Sequence, residues 1–271
     1  EPRSRAKRAK ADDAGVGAVE AEAVSNRSEV GRPKILFSGI EVSQKAKKLA
    51  AIDGASEAKS TADATHVIAA STERKVAFRR TPKIMTVVSS CIPILDQSWF
   101  EDSADAGMPL KEESYIVQDK EAEKKYGFKM RECLSNSTKV LEDMAVHVTK
   151  FPESVKVPPT ADMKAIVQAA GGTWAAKLPS KPAADLLVIS CKEAVEKDKG
   201  LGTKVRKLIA GGVSGGFIAT TTCLFDAVMR KELRFDGEGH VVPDASLGAP
   251  PAPGGSTSAT SSGSRSRKRG R

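Results

Sequence analysis

The same order of elements can be read twice in these 271 residues, and that repetition limits the fold more than any other feature. The first copy opens with Ile35-Leu36-Phe37-Ser38-Gly39, a short apolar strand ended by a glycine turn. A helix from Gln44 to Ile52 stops at Gly54, and Thr65 to Ala69 is a second strand. Thr81-Pro82 opens a helix running to about Ser89, Ile92 to Leu95 is a third strand, and a helix around Trp99 ends at Gly107. The second copy has strands at Met144 to Val148, Leu186 to Ser190 and Gly216 to Ala219. Helices from Thr160 to Ala170, Thr203 to Ala210 and Thr220 to Lys231 alternate with them. Short strands that are apolar at every position bury both faces, so the expected unit is a small parallel sheet covered by helices, an α/β fold. Two equivalent modules packed head to tail are predicted.

Between the copies, Asp119 to Ser137 is charged and contains Tyr126-Gly127-Phe128, which predicts an ordered linker helix within residues 119–142. The modules then occupy residues 33–118 and 143–244. Residues 1–32 are rich in Ala, Glu, Lys, Arg and Ser, and residues 245–271 run through Pro, Gly and Ser into the basic stretch Ser264 to Arg271. Neither can bury enough apolar surface to offset its ordering entropy, and both are expected to be disordered tails. The basic end reads either as a nuclear-import signal or as a solvated charge run. With Glu1 in place of an initiating Met, the chain is expected to be part of a longer protein.

The net charge of +9 points first to nucleic acid. Its distribution weakens that reading, because +5 of it falls in residues 248–271 and only +3 in residues 33–247. Aromatic residues make up 4% of the chain and are not interleaved with a basic stripe, so a stacking platform for bases is not expected. A weak DNA contact through the basic tails remains open. Cys91, Cys133, Cys191 and Cys223 lack paired spacing, which argues against zinc and disulfides and for a reducing compartment. No apolar run is long enough to span a membrane, so none is expected as a partner. His66, His147 and His240 have no second ligand at metal spacing. Gly200 to Lys204 and Gly211 to Gly216 complete neither a phosphate-binding loop nor a dinucleotide fingerprint. No catalysis and no cofactor are expected within these residues.

Thr81 is a good N-cap and Pro82 suits the first helical position, which puts Lys83 in a first turn, where unpaired N–H groups and the helix dipole favour an anion. Taken with Pro33 to Gly39, Arg79-Arg80-Thr81-Pro82-Lys83, Ile92 to Leu95 followed by Trp99 and Ser103, and Tyr126 to Met130, the sequence resembles the tandem BRCT repeats of checkpoint and repair proteins over residues 33–243. That resemblance implies two BRCT modules, each with a parallel four-stranded sheet, and a nuclear adaptor of the DNA-damage response that binds phosphoserine or phosphothreonine. It assigns the phosphate to Ser38, Gly39 and Lys83. Arg80, with Thr81 beside it, would read the residue three places beyond the phosphate or a free carboxylate there, and Phe225 would line the groove between repeats. A phosphorylated histone-variant C-terminus is the leading partner on this likeness. A competing register in the long loop from Ala69 to Arg80 puts Ala77 in the lysine's place, with Lys75 as the alternative donor. Cys223 stands where the resemblance leads one to expect a large aromatic, and it fills less space, so a repacked or softer second core is predicted. A phosphate-independent BRCT scaffold and a DNA-binding BRCT module are the rival readings.

Overall fold

The computed structural model describes residues 32–70, 78–180, 186–198, 200–208 and 218–242. Residues 1–31 of the first predicted tail, the whole of the second, Lys75 and Ala77, and the glycine run Gly211 to Gly216 lie outside the described residues. The chain forms two units, Glu1–Ser137 and Thr138–Arg271.

In the first unit, β1 (Lys34–Phe37), β2 (Ser56–Glu57), β3 (His66–Ala70) and β4 (Ile94–Asp96) form one parallel sheet in the order β2-β1-β3-β4. Helix α1 (Lys45–Ala51) carries the chain from β1 outward to β2, and α2 (Pro82–Ser89) carries it from β3 to β4 in the opposite direction. Right-handed crossovers therefore put α1 and α2 on opposite faces. The sequence agrees, since successive strand side chains alternate between faces. Ile35, Phe37, Ile68 and Leu95 join Ile52 of the α1 C-terminus and Trp99 and Phe100 of α3 (Gln97–Ala106) in one cluster. The helices α1 and α3 are further joined by a 2.6 Å contact from Lys48 Nζ to Glu101 Oε1. Leu36, Val67 and Ile94, all buried, are left for the face that α2 covers with Ile84, Met85, Val87 and Val88.

Trp99 is the largest side chain in that core. Its Nε1 donates to Leu110 O at 2.9 Å, and its ring stacks on His66 with centroids 4.9 Å apart. The His66 nitrogens lie 2.8 Å from Thr65 Oγ1 and 3.1 Å from Glu112 Oε1, so this strand histidine is a satisfied core residue. The hydrogen bond from His66 holds the Glu112 carboxyl below its ordinary range, against the opposing effect of burial. A depressed carboxyl stabilises the fold above its unfolded value, and the contribution is lost as pH falls through the lowered one. Glu112→Gln is thus expected to lower the melting temperature at neutral pH, with the gap to wild type closing in acid. A gap that stays constant down to strongly acid pH would show that the contact does not depend on the charge.

Residues 119–142, expected to form one linker helix, instead carry two short ones, α4 (Lys120–Tyr126) and α5 (Met130–Ser135). Gly127 breaks the run in the left-handed region at φ 65°, and Glu123 Oε1 then accepts from Met130 N at 3.0 Å to start α5.

In the second unit, β5 (Ala145–Val148), β6 (Thr173–Trp174) and β7 (Leu186–Ile189) form a parallel sheet in the order β6-β5-β7. Four strands were expected here. Of the fourth, Gly216 and Phe217 lie outside the described residues, and Ala219 holds the position with a parallel bridge to Ile189 and an antiparallel one to Val241. Helix α6 (Thr160–Ala169) links β5 to β6, while α7 (Lys192–Lys197) and α8 (Leu201–Leu208) follow β7. The last described helix is α9 (Thr221–Arg230), with Thr220 as its N-cap. Cys223 occupies its third position, as Trp99 does in α3, and is fully buried. The space beside it is filled by polar groups: Arg234 O accepts from Cys223 Sγ at 3.3 Å and lies 3.0 Å from His240 Nδ1, and His240 Nε2 lies 2.9 Å from Asp226 Oδ2. Burial pushes the Cys223 thiol up to about 12, so the sulfur stays protonated as a donor.

Candidate functional site

The reversal of crossover direction in the first unit falls between β1 and β3. In open α/β sheets the crevice outside the carboxyl ends of the strands at such a switch point is where ligands bind, because the two flanking connections diverge and leave backbone ends uncovered. Ser38 and Gly39 leave β1 at that edge. Only four residues separate Ser89 from Ile94, so the C-terminus of α2 lies at the amino edge of the sheet and its N-terminus, with Lys83, lies back at the carboxyl edge.

Each residue is positioned by local rules. Ser38 N donates to Ile68 O at 2.9 Å, which extends the β1–β3 ladder by one step and aims the Ser38 side chain to the same face as Leu36, the α2 face. Gly39 has φ +73°, and a Cβ built there would meet nothing within 4 Å. Glycine is needed for the backbone turn, and the space beside its Cα is open. Among the described residues, Ser38 Oγ, Gly39 N and Lys83 Nζ have no hydrogen-bond or ion-pair partner. Three donors at one sheet edge, one of them a cation, suit an oxyanion.

Thr81 caps α2, its Oγ1 accepting from Ile84 N at 3.3 Å, with Pro82 in the first turn. Its oxygen is thus engaged in holding the helix end. Arg80 lies over the ring of Tyr126, Cζ 3.9 Å from the centroid, and α4 is held nearby by Phe78 N donating to Asp119 Oδ2 at 3.1 Å. Stacking uses the face of a guanidinium, so it orients the plane of the fork. In sequence Tyr126 stands out only within the linker phrase Tyr126 to Met130, and its support of Arg80 is not legible there. An aromatic residue in an otherwise charged segment was the available signal. Phe225 is buried at 8% exposure within α9 of the second unit.

Among the described residues no group of three or more His, Cys, Asp or Glu could hold a metal ion, none of the four cysteines is in a disulfide, and no helix is long and apolar enough to cross a membrane.

The fold is that of a tandem BRCT repeat. The crystal structure of the S. pombe Brc1 BRCT5-BRCT6 domains matches 79% of this chain and 98% of that chain with a TM-score of 0.57, at 19% sequence identity. In sequence the chain is similar to Mediator of DNA damage checkpoint protein 1 of Rattus norvegicus, 35% identical over 167 residues, 61% of this chain and 12% of that protein. PAX-interacting protein 1 of Mus musculus is 31% identical over 175 residues, 59% of this chain and 16% of that protein. The chain thus spans a small part of the length of these relatives. No protein-family model matches it.

Proposed function

We propose that this chain is a non-catalytic adaptor of the nuclear DNA-damage response, whose first unit holds a phosphoserine or phosphothreonine through Ser38, Gly39 and Lys83. The observation that carries the reading is the set of three donors at the carboxyl edge of the first sheet that have no partner among the described residues. A dianionic phosphate there gains a hydroxyl, a backbone amide and an ammonium, all charge-assisted. The likeness to a DNA-damage checkpoint mediator supports the cellular setting. Arg80, oriented by Tyr126, offers a planar donor for a carboxylate, and a phosphorylated histone-variant C-terminus would present both groups.

Four titrations by calorimetry test this: a phosphopeptide ending in a free carboxylate, the same peptide amidated, the unphosphorylated peptide, and duplex DNA. The phosphopeptide is expected to bind at least about tenfold more tightly than its unphosphorylated form, as a hydrogen bond to a charged group is worth about 1.5–3 kcal/mol. Phosphopeptide binding should survive moderate salt while any DNA binding falls steeply. Arg80→Gln should keep the preference for phosphate and lose most of the difference between free and amidated ends. Equal binding of the phosphorylated and unphosphorylated peptides would leave a phosphate-independent scaffold. A wild type that does not distinguish the two ends would remove the role given to Arg80.

A further inference from the structure

The second sheet repeats the switch point of the first, since β5 and β7 are neighbours whose connections leave in opposite directions through α6 and through α7 with α8. The residue leaving β5 is Thr149, and its N donates to Ile189 O at 3.0 Å, as Ser38 N does to Ile68 O. The ladder pairs Val148 with Ile189 and Phe37 with Ile68, so Thr149 occupies the position of Ser38. Alternation again aims the hydroxyl to the face of the helices that follow the second strand, because Ala145, two steps earlier in the same phase, packs on the cluster of Leu186, Val188, Val195 and Leu201.

A cavity of about 750 Å³ opens there. Thr149 lines it, and its Oγ1 lies 2.6 Å from Ser190 Oγ, itself 1% exposed. When the buried Ser190 donates to Thr149, the Thr149 hydrogen has no other acceptor among the described residues and points its bond into the cavity. Lys150, Lys197 and Lys204 line the same space together with Glu153 and Asp198. Asp198 is engaged by Lys204 at 3.8 Å and by Gly200 N at 3.1 Å, which leaves Lys150 and Lys197 against the single carboxylate of Glu153. The opposite wall is apolar, with Phe151, Pro152, Leu178 and Leu201. The volume is that of a ligand pocket and well beyond one phosphoryl group.

We infer that the second unit carries its own anion site at Thr149, Lys150 and Lys197, which takes a phosphorylated side chain of a peptide with an apolar residue beside it. The site is separate from the one at Ser38 and does not depend on it.

The probes are acetyl-Ala-phosphoserine-Leu-Ala-amide, its unphosphorylated form and inorganic phosphate, titrated into the full chain while amide and threonine methyl signals are followed by NMR. The expected result is saturable movement at Thr149 and Lys150 with the phosphopeptide. It should persist in Lys83→Met and weaken at least several-fold in Thr149→Val and in the Lys150→Ala, Lys197→Ala double variant. The lysine variants change only exposed side chains, so they keep the test sound should Thr149→Val misfold. Movement confined to Ser38, Gly39 and Lys83 would overturn this inference and leave the first-unit reading standing. Movement at neither edge would overturn both. Equal response to the unphosphorylated peptide would overturn the anion assignment, and inorganic phosphate binding as tightly as the peptide would overturn the peptide one.

Discussion

A Lys83→Met variant is expected to bind a phosphopeptide about 10- to 150-fold more weakly than wild type, the equivalent of the roughly 1.5–3 kcal/mol that a hydrogen bond to a charged group contributes. Lys83 sits in the first turn of α2, exposed and without an ion pair among the described residues, so removing its charge leaves no buried partner stranded. Met keeps most of the aliphatic length and is a good helix former, and the Thr81 cap and the buried side of α2 are untouched. The melting temperature should therefore stay within a degree or two of wild type while affinity falls. Calorimetric titration beside a thermal melt separates the two effects. Unchanged affinity would refute the assigned register and make Lys75 the next residue to replace.

Trp99→Ala is expected to cost the first unit about 3–5 kcal/mol, the usual penalty for truncating a large buried aromatic. The ring is fully buried among Ile35, Ile52, Ile68, Leu95 and Phe100, and its removal would also leave Leu110 O without its donor and strip the stacking partner from His66. A loss of that size approaches the whole stability of a small domain. Urea unfolding followed by circular dichroism measures it, and with Trp99 gone the remaining fluorescence reports on Trp174 of the second unit alone. The contrast is Cys223→Ala at the equivalent helix position. It removes one sulfur and one hydrogen bond and should cost nearer 1–2 kcal/mol. A Trp99→Ala protein within about 1 kcal/mol of wild type would mean that the core collapses around the gap.

The four- and five-residue strands were legible in sequence because short, mainly apolar runs are bounded there by turn signals; β1, β3, β5 and β7 begin within a residue of expectation. Strand β4 was displaced toward its helix, since Pro93 lacks an N–H and contributes only its carbonyl, which accepts from Val67 N at 3.0 Å. The two-residue strands β2 and β6 were missed, because two residues carry no period and exist only through pairing with β1 and β5. Helix α7 was missed for a related reason: six residues are too few to show a face, and its N-cap is the sulfur of Cys191, accepting from Ala194 N at 3.4 Å. Among the candidate site residues, the cap at Thr81 and the turn at Gly39 follow from local chemistry and could be read directly. The support of Arg80 by Tyr126 and the pairing of Thr149 with Ser190 join residues 46 and 41 positions apart, and no local pattern announces them.

Gly39 imposes a requirement of handedness more than of size. Its backbone sits where an L side chain crowds its own carbonyl, yet the room a side chain would enter is empty. An L-alanine there would strain the turn that carries the amide, whereas its mirror image is at ease with the same backbone angles. A semisynthetic chain with D-alanine at this position would keep the geometry of the turn and gain the rigidity that glycine lacks. The edge of the sheet could then be stiffened at the amide proposed to face the anion, with Ser38 and Lys83 unaltered.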